Sequence, residues 1–461
     1  MVKPVKKGEI VTIELDNLAY GGEAVGRVDN FAIFVAGGIP GEKVKVRITE
    51  VKKRYGRGEL IEILNPSPFR APASCDVYTG CGGCQLQHVE YKEQLKLKRQ
   101  IVVDAIERIG GLKGVKVHST LPSNQDFYRN KAQFPLGVGK GVDGREEIIT
   151  GFYAPGTHKI VPNNNCCIQH PLINRIVRKT LKILNEEGVS IYDERVHKGL
   201  LRHLLVRVGV CTNQAMLVFV TNGQEFPKGK KIAQRVMDEV PELVSVLQNI
   251  NTQRTNVILG QKTRLIAGKE RIIDYIGDLK FEISAQSFFQ VNTLQSKVLY
   301  DRVLKYANLS GKEIVLDAYC GIGTISLYLA QHAGVVHGIE VVQQAIEDAE
   351  QNAVLNGIKN TFFYTGLVEE ILPRLVEDNV KFDVVVVDPP RKGCHTDVLK
   401  VFGETKPERI VYVSCNPTTL ARDLAVLVKY GYEVIEVQPV DMFPHTYHVE
   451  SVVLIKRKYM G

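Results

Sequence analysis

The sequence predicts a multidomain protein in three parts. These are an N-terminal OB-like β-barrel, a central α+β domain with a cysteine metal site, and a C-terminal Rossmann-like α/β domain. Three observations predict this. The chain has 461 residues, more than one ordinary core accommodates. Residues 1–64 alternate short apolar runs with glycine turns, whereas strands and helices alternate from about residue 280 onward. Between them fall five of the nine cysteines, at 75, 81, 84, 166 and 167.

Composition narrows the class. Hydrophobic residues make up 44% and charged residues 24%, the balance of a folded globular chain. No apolar run approaches the roughly 18 residues of a membrane-spanning helix. The first residues, "MVKPVKKGEI", carry no apolar secretion-signal core, so a cytoplasmic location and no membrane partner are expected. An odd cysteine count argues against a disulfide framework there. Net charge is +8, but its placement matters more: "KVKVRITEVKKRYGR" (43–57) holds seven basic residues and one acid. A basic stripe on a small barrel suits a phosphate backbone; a solvated basic face is the plain alternative.

The elements follow in order. "IVTIEL", "GEAVGRVD", "FAIFVAG", "EKVKVRITEV" and "RGELIEIL" read as five strands of a barrel, residues 1–64. The proline-rich "NPSPFRAPASC" ends it as a linker. Residues 65–275 form the central domain. Up to about residue 170 only "YKEQLKLKRQIVVDAIERIG" looks helical, a helix over about 91–112 expected to pack on the catalytic domain; from about 171 helical and strand patterns mix, as in "LLVRVGV" followed by "QAMLVFV". Residues 276–461 alternate: strand "EIVLDAY", helix "TISLYLAQHA", strand "VVHGIEV", helix "QQAIEDAEQNAVLN", then strands "FDVVVVD", "RIVYVSC" and "SVVLIKR". That order implies a parallel sheet with helices on both faces.

Two loops of this last domain carry chemistry. In "DAYCGIGTISL" (317–327), Gly321 and Gly323 let a ligand approach the backbone closely, and Glu340 ends the next strand, placed to accept from ribose hydroxyls. The loop departs from G-x-G-x-x-G and looks like an S-adenosylmethionine site; a tight turn that binds nothing is the alternative. "VVVVDPPRKG" ends a strand in Asp388-Pro389-Pro390-Arg391. This resembles the D/N-P-P-aromatic motif of amino-methyltransferases, with Arg391 in place of the aromatic ring.

"RIVYVSCNPTTLARDL" (409–424) places a thiol where a strand gives way to a helix. Asn416 suits the N-cap and Pro417 the first helical position, so Cys415 is expected beside a helix N-terminus that favours a thiolate. A thiolate that adds to carbon 6 of uracil makes carbon 5 nucleophilic towards a sulfonium methyl group. A base must then take the carbon 5 proton. Glu450, with His445 and His448 nearby, is the candidate base; a surface carboxylate is the alternative. Cys394 is a rival thiol without a cap behind it.

Taken in order, "QSFFQVN" (286–292), "DAYCGIGTISL", "DPPRKG", "SCNP" and "FPHTYHVE" resemble the bacterial RNA (uracil-5-)-methyltransferases. The spacing Cys75-x5-Cys81-x2-Cys84, with Cys166 downstream, is similar to the 23S ribosomal RNA branch of that family, which has a TRAM barrel and a [4Fe-4S] cluster. The resemblance implies methylation of carbon 5 of uridine in 23S rRNA by S-adenosylmethionine, by a monomer. It implies Cys415 as nucleophile and Glu450 as base, with Gln290, Tyr319, Glu340 and Asp388 as cofactor and active-site polar contacts. It implies Cys75, Cys81, Cys84 and Cys166 as cluster ligands, Cys166 being chosen over Cys167 because it precedes "CIQ" as the family ligand precedes "LIQ". Arg129 and Lys131 of "YRNKAQFP" are expected to touch RNA. Spacing alone allows zinc as readily as iron–sulfur. Two other functions stay open on the residues: an amino-methyltransferase acting on adenine or guanine, and a non-enzymatic RNA-binding protein. The target uridine, and whether there are one or two, is not legible.

Overall fold

The computed structural model describes residues 4–140 and 146–458. Strands β1 (Ile10–Leu18), β2 (Ala24–Val28), β3 (Phe31–Val35), β4 (Lys43–Val51) and β5 (Tyr55–Asn65) close into a barrel in the order β1-β2-β3-β5-β4. Alternation closes it: Ile13, Leu15, Ile33, Val35, Val44, Val46 and Ile48 are buried while the charged residues between them face outward. Asp29 and Asn30, both at positive φ (47° and 66°), make the two-residue turn joining β2 to β3. Glu42 is fully buried and takes two 2.7 Å bonds from Arg70, which ties the linker to the barrel. Burial works against that charge, but Arg70 and the amides of Ser67 and Ile39 hold the carboxyl below its usual range.

Helix α1 (Tyr91–Asp104) continues through a single π-turn, Ala105–Ile109. Its Leu97 and Ile101 enter the barrel core, while Val102 and Ile106 enter a core of the C-terminal sheet. One helix therefore packs on two domains. Strand β6 (Lys116–Val117) then joins the edge of the C-terminal sheet.

The central sheet contains β7 (Lys131–Lys140), β8 (Glu146–Tyr153), β9 (Ile160–Pro162), β10 (Leu201–Val208), β11 (Ala215–Thr221), β12 (Leu243–Ile250) and β13 (Lys262–Gly268), ordered β13-β12-β11-β10-β7-β8-β9. Helices α2 (Pro171–Glu187) and α3 (Gly229–Glu239) cover one face and share a core with it. The other face sends Leu205, Met216, Val218 and Leu247 into the main core of the catalytic domain. Strand β7 hides from hydrophobic patterning because Pro135, Gly137 and Gly139 interrupt it. The glycines leave room for their neighbours: a Cβ on Gly137 would stand 2.8 Å from the tip of Ile160, and one on Gly139 2.9 Å from the tip of Ile149, so each isoleucine would have to shift.

A hairpin, β14 (Ile272–Ile276) and β15 (Leu279–Ile283), leads into α4 (Thr293–Ala307). Then follow β16 (Ile314–Ala318), α5 (Thr324–Ala330), β17 (Val335–Glu340), α6 (Gln343–Leu355), β18 (Thr361–Thr365), α7 (Val368–Glu377), β19 (Val384–Val387), α8 (Thr396–Thr405), β20 (Arg409–Ser414), α9 (Pro417–Lys429), β21 (Tyr432–Val440) and β22 (Glu450–Arg457). The sheet order is β18-β17-β16-β19-β20-β22-β21-β6. Strands β16 to β20 pair in parallel, but β22 runs antiparallel to both β20 and β21, which corrects the expectation of a wholly parallel sheet. The reason is the connection: β21 returns to β22 through the loop 441–449, with no crossover helix, and such a link favours an antiparallel neighbour. No helix among the described residues is long and apolar enough to cross a membrane.

Candidate active site

The crevice lies at the carboxyl ends of β16, β19 and β20, where open α/β sheets bind ligands. Strand β20 ends at Ser414, paired with Ser451 of β22. One step further along this antiparallel register, Cys415 faces Glu450. The Asn416 side chain accepts from the Thr418 amide at 3.0 Å and caps α9, with Pro417 opening the helix. The same side chain donates to the Arg391 carbonyl at 3.0 Å, so the thiol loop and the Asp388–Arg391 loop are held together.

Electrostatics in the crevice are dominated by burial. Glu450 is buried, and its carboxyl is pushed up to about 8 by that burial and then by Asp388, with Arg391 opposing. Burial raises Asp388 to about 6. The Cys415 thiol is pushed up to about 12 by burial, then by Glu450 and Asp388; Arg391 again opposes. This corrects one expectation: the helix N-terminus is present, but in the protein alone it does not outweigh desolvation and two neighbouring acids, and the thiol keeps its proton. Burial also raises the rival Cys394 to about 12; its amide donates to Asp423 at 2.9 Å, away from the carboxyl pair.

The glycine loop sits beside this cluster. Tyr319, Gly321 and Gly323 have φ of 68°, 54° and 78°, three left-handed positions that fold the chain tightly from β16 into α5. Gly321 borders open space, with no atom within 4 Å of a built Cβ. Its amide donates to Glu340 at 3.2 Å, and the other Glu340 oxygen accepts from the Val342 amide at 3.0 Å. Below, Asp317 is buried and raised to about 7 by desolvation; Ser326 donates to one oxygen, and the other has no partner among the described residues. An orphaned carboxylate oxygen, an open glycine turn and an acid at the next strand end fit S-adenosylmethionine. Tyr319 reaches the Cys394–His395 loop, where Cys394 and the backbone of His395 act on its hydroxyl. Gln290 is buried before α4, its carbonyl accepting from Asn130 at 2.8 Å.

The other predicted cysteines gather elsewhere. Cys75, Cys81, Cys84 and Cys166 line a single cavity of about 300 Å³ together with Gln87, Arg129, Lys131 and Gln133. Cys167 is not in that lining; Gln87 donates to its sulfur at 3.5 Å. Among the described residues no three acid, His or Cys side chains close on one point as a single-ion site would require. Arg129 and Lys131, expected at RNA, border this cavity.

The loop before Glu450 joins the two sites. Gln85 and Leu86, directly after Cys84, both donate to the His445 carbonyl at 2.9 Å. His445 takes φ of 66°, and its amide donates to Gln94 at 3.0 Å. Lys98 donates to Asp441 at 2.6 Å, both side chains fully buried. Removing one partner of such a pair costs about 3–5 kcal/mol. Sequence reading missed these anchors, and it missed Tyr20 of the barrel, whose hydroxyl donates to the Cys415 carbonyl at 3.1 Å. A helical lysine and a turn tyrosine give no signal of such distant partners.

Together the fold and the crevice define an S-adenosylmethionine-dependent methyltransferase with an added barrel. Comparisons with known proteins agree. The family model for the TRAM domain matches residues 4–61, and that described as tRNA (Uracil-5-)-methyltransferase matches residues 229–458. The chain is 47% identical to an RNA methyltransferase of Halalkalibacterium halodurans, covering 99% of this chain and 98% of that protein. It is 49% identical to one of Caldanaerobacter subterraneus subsp. tengcongensis, covering 98% and 99%. The crystal structure of Pyrococcus abyssi tRNA (uracil-54, C5)-methyltransferase with S-adenosyl-L-homocysteine superposes with a TM-score of 0.74 at 29% identity, over 96% of this chain and 99% of that one. The chain belongs to the RNA (uracil-5-)-methyltransferase family.

Proposed function

We propose that the protein methylates carbon 5 of a uridine in 23S ribosomal RNA, in the cytoplasm, through a transient bond between Cys415 and carbon 6. The observation that carries this is the β20–β22 register, which faces the thiol with a buried carboxyl raised to about 8. Cys415 adds to carbon 6 as its proton leaves for solvent, and the ring electrons move to the carbon 4 oxygen. Arg391, which pulls both the thiol and Glu450 towards their anions, favours this step. S-adenosylmethionine supplies an electrophilic methyl group to carbon 5. Glu450, once it has released its own proton to solvent and become a carboxylate, takes the carbon 5 proton, the double bond re-forms, and the sulfur leaves as the thiolate. Gln290, Tyr319, Glu340 and Asp388 would hold the cofactor and the ring. The uridine is best presented from an unpaired loop, since extrusion costs roughly a few kcal/mol, and less there than in a duplex.

The ribosomal assignment rests on the cysteines. The residues fit a [4Fe-4S] cluster: four thiols line one cavity, the four-thiolate donor set that such a cluster takes. Cys75, Cys81, Cys84 and Cys166 would hold it, and it would order the segment that anchors the catalytic loop. A tRNA substrate is the second reading, favoured by the tRNA methyltransferase family whose model matches and by the P. abyssi tRNA enzyme. An amino-methyltransferase needs neither the thiol nor its facing acid.

The test is covalent trapping with RNA containing 5-fluorouridine. The wild type forms a stable adduct and Cys415→Ala forms none; an adduct in that variant rejects the nucleophile. Glu450→Gln accumulates the methylated adduct on ordinary RNA; normal turnover rejects the base. Mass spectrometry of ribosomal and transfer RNA from a deletion strain shows which RNA loses 5-methyluridine.

A further inference from the structure

The barrel reaches into the catalytic centre. Tyr20 lies in the turn after β1, 395 positions before Cys415, and donates its hydroxyl to the Cys415 carbonyl at 3.1 Å. Its ring meets Tyr447 edge-on, with centroids 5.3 Å apart, and Tyr447 lies against His448 at 4.2 Å. The turn is shaped for this approach. Gly21 and Gly22 have φ of 139° and 82°, and a Cβ on Gly22 would stand 2.9 Å from Gln85 and 3.4 Å from Tyr447. The ionisable groups that act on Tyr20 are Cys415, Tyr447, Arg391 and Glu450, so it shares the crevice with the proposed nucleophile and base.

The bond meets a specific need. Residue 415 stands just before the N-cap of α9, so its carbonyl lies outside the helical ladder and must find a donor elsewhere. The peptide plane carrying that carbonyl also sets where the Cys415 side chain points. We propose that Tyr20 is a positioning residue for methyl transfer: the barrel turn fixes the peptide after the nucleophile, and the catalytic centre is complete only with the barrel docked. This rests on the reading of Cys415 as nucleophile.

Tyr20→Phe keeps the ring against Tyr447 and removes only the donor. With saturating 5-fluorouridine RNA and S-adenosylmethionine, the adduct forms about tenfold more slowly in this variant, while RNA affinity, read by filter binding, stays within about twofold. Gly22→Val, which pushes the turn away but keeps the hydroxyl, shows the same slowing. A wild-type adduct rate in either variant overturns the proposal, as does a loss confined to RNA affinity. If the wild-type protein itself forms no adduct, the reading of Cys415 fails, a result distinct from failure of the Tyr20 role.

Discussion

Two groups of thiols in this protein share burial but differ in their charged neighbours. The four cysteines of the cavity lie with Arg129 and Lys131, while Cys415 lies between the carboxyls of Glu450 and Asp388. Burial pushes Cys84 and Cys166 up to about 12, as it does Cys415, and lowers Lys131 to about 7, so the basic rim does not by itself make the cavity thiols anionic. What distinguishes Cys415 is the pair of acids that adds to its burial. On the proposed reading the cavity thiols are ligands, ionised by what they bind, and Cys415 is a nucleophile used intermittently. The two sites are joined through the loop 441–449, whose His445 carbonyl Gln85 and Leu86 hold and which ends at Glu450, and through residues 290–291, where Asn130 holds the Gln290 carbonyl and Val291 lines the cysteine cavity.

The strongest way to break this contrast is to cross it. After anaerobic purification, Cys84→Ala loses the cluster outright by iron and sulfide assay, whereas Cys415→Ala keeps it and loses the adduct. If Cys415→Ala also loses the iron, the two groups are not separate. Stoichiometric zinc without iron in the wild type replaces the cluster by a zinc site.

A smaller effect tests how acidic the crevice is. Burial, then Asp388, raises Glu450 from 4.5 to about 8. In the folded chain this carboxyl holds a proton that the unfolded chain has released, so its contribution to stability is full below about 4.5 and is lost as pH rises through about 8. Glutamine has no proton to lose. Glu450→Gln is therefore more stable than the wild type at about pH 9, on the order of 2–4 kcal/mol, and equal to it near pH 4. Thermal melting at both pH values reads the difference; a gap of the same size at both would mean that the carboxyl is not held neutral.

How much of this was legible in the sequence follows from where the information lies. Barrel strands such as "KVKVRITEV" announce themselves by alternation, and "VVVV" before Asp388 reads as a buried strand because both of its faces are covered. Local motifs placed Cys415, the Asn416 cap and the Gly321 turn correctly, since a cap or a tight turn is decided within a few residues. Strands β18 and β21 went unseen; the first has no buried residue and the second is broken by Pro439 near its end. The raised Cys415 thiol was not legible, because it depends on burial in the folded crevice and then on acids brought in by the Asp388 loop and β22. Nor was the basic rim of the cysteine cavity, since Arg129 and Lys131 read equally well as RNA contacts. What sequence reading loses is any property set by partners distant along the chain.

The finest test asks whether the two charges flanking the nucleophile act with opposite signs. Asp388 raises both Cys415 and Glu450, and Arg391 lowers both. In single-turnover methyl transfer the rate rises with pH as Glu450 becomes able to accept a proton, and the limb belongs to the coupled thiol and carboxyl rather than to either alone. Asp388→Asn removes a negative charge and moves that limb to lower pH by about one unit, about 1.4 kcal/mol, whatever it does to the maximal rate. Arg391→Gln removes the opposing cation and moves the limb the other way. Cys84→Ala, which disturbs the segment holding the catalytic loop but changes no charge that acts on Cys415 or Glu450, leaves the midpoint in place whatever it does to the maximal rate. Shifts of the same sign in Asp388→Asn and Arg391→Gln would show that the crevice responds to repacking and not to charge, and the electrostatic contrast between the two thiol sites would lose its basis.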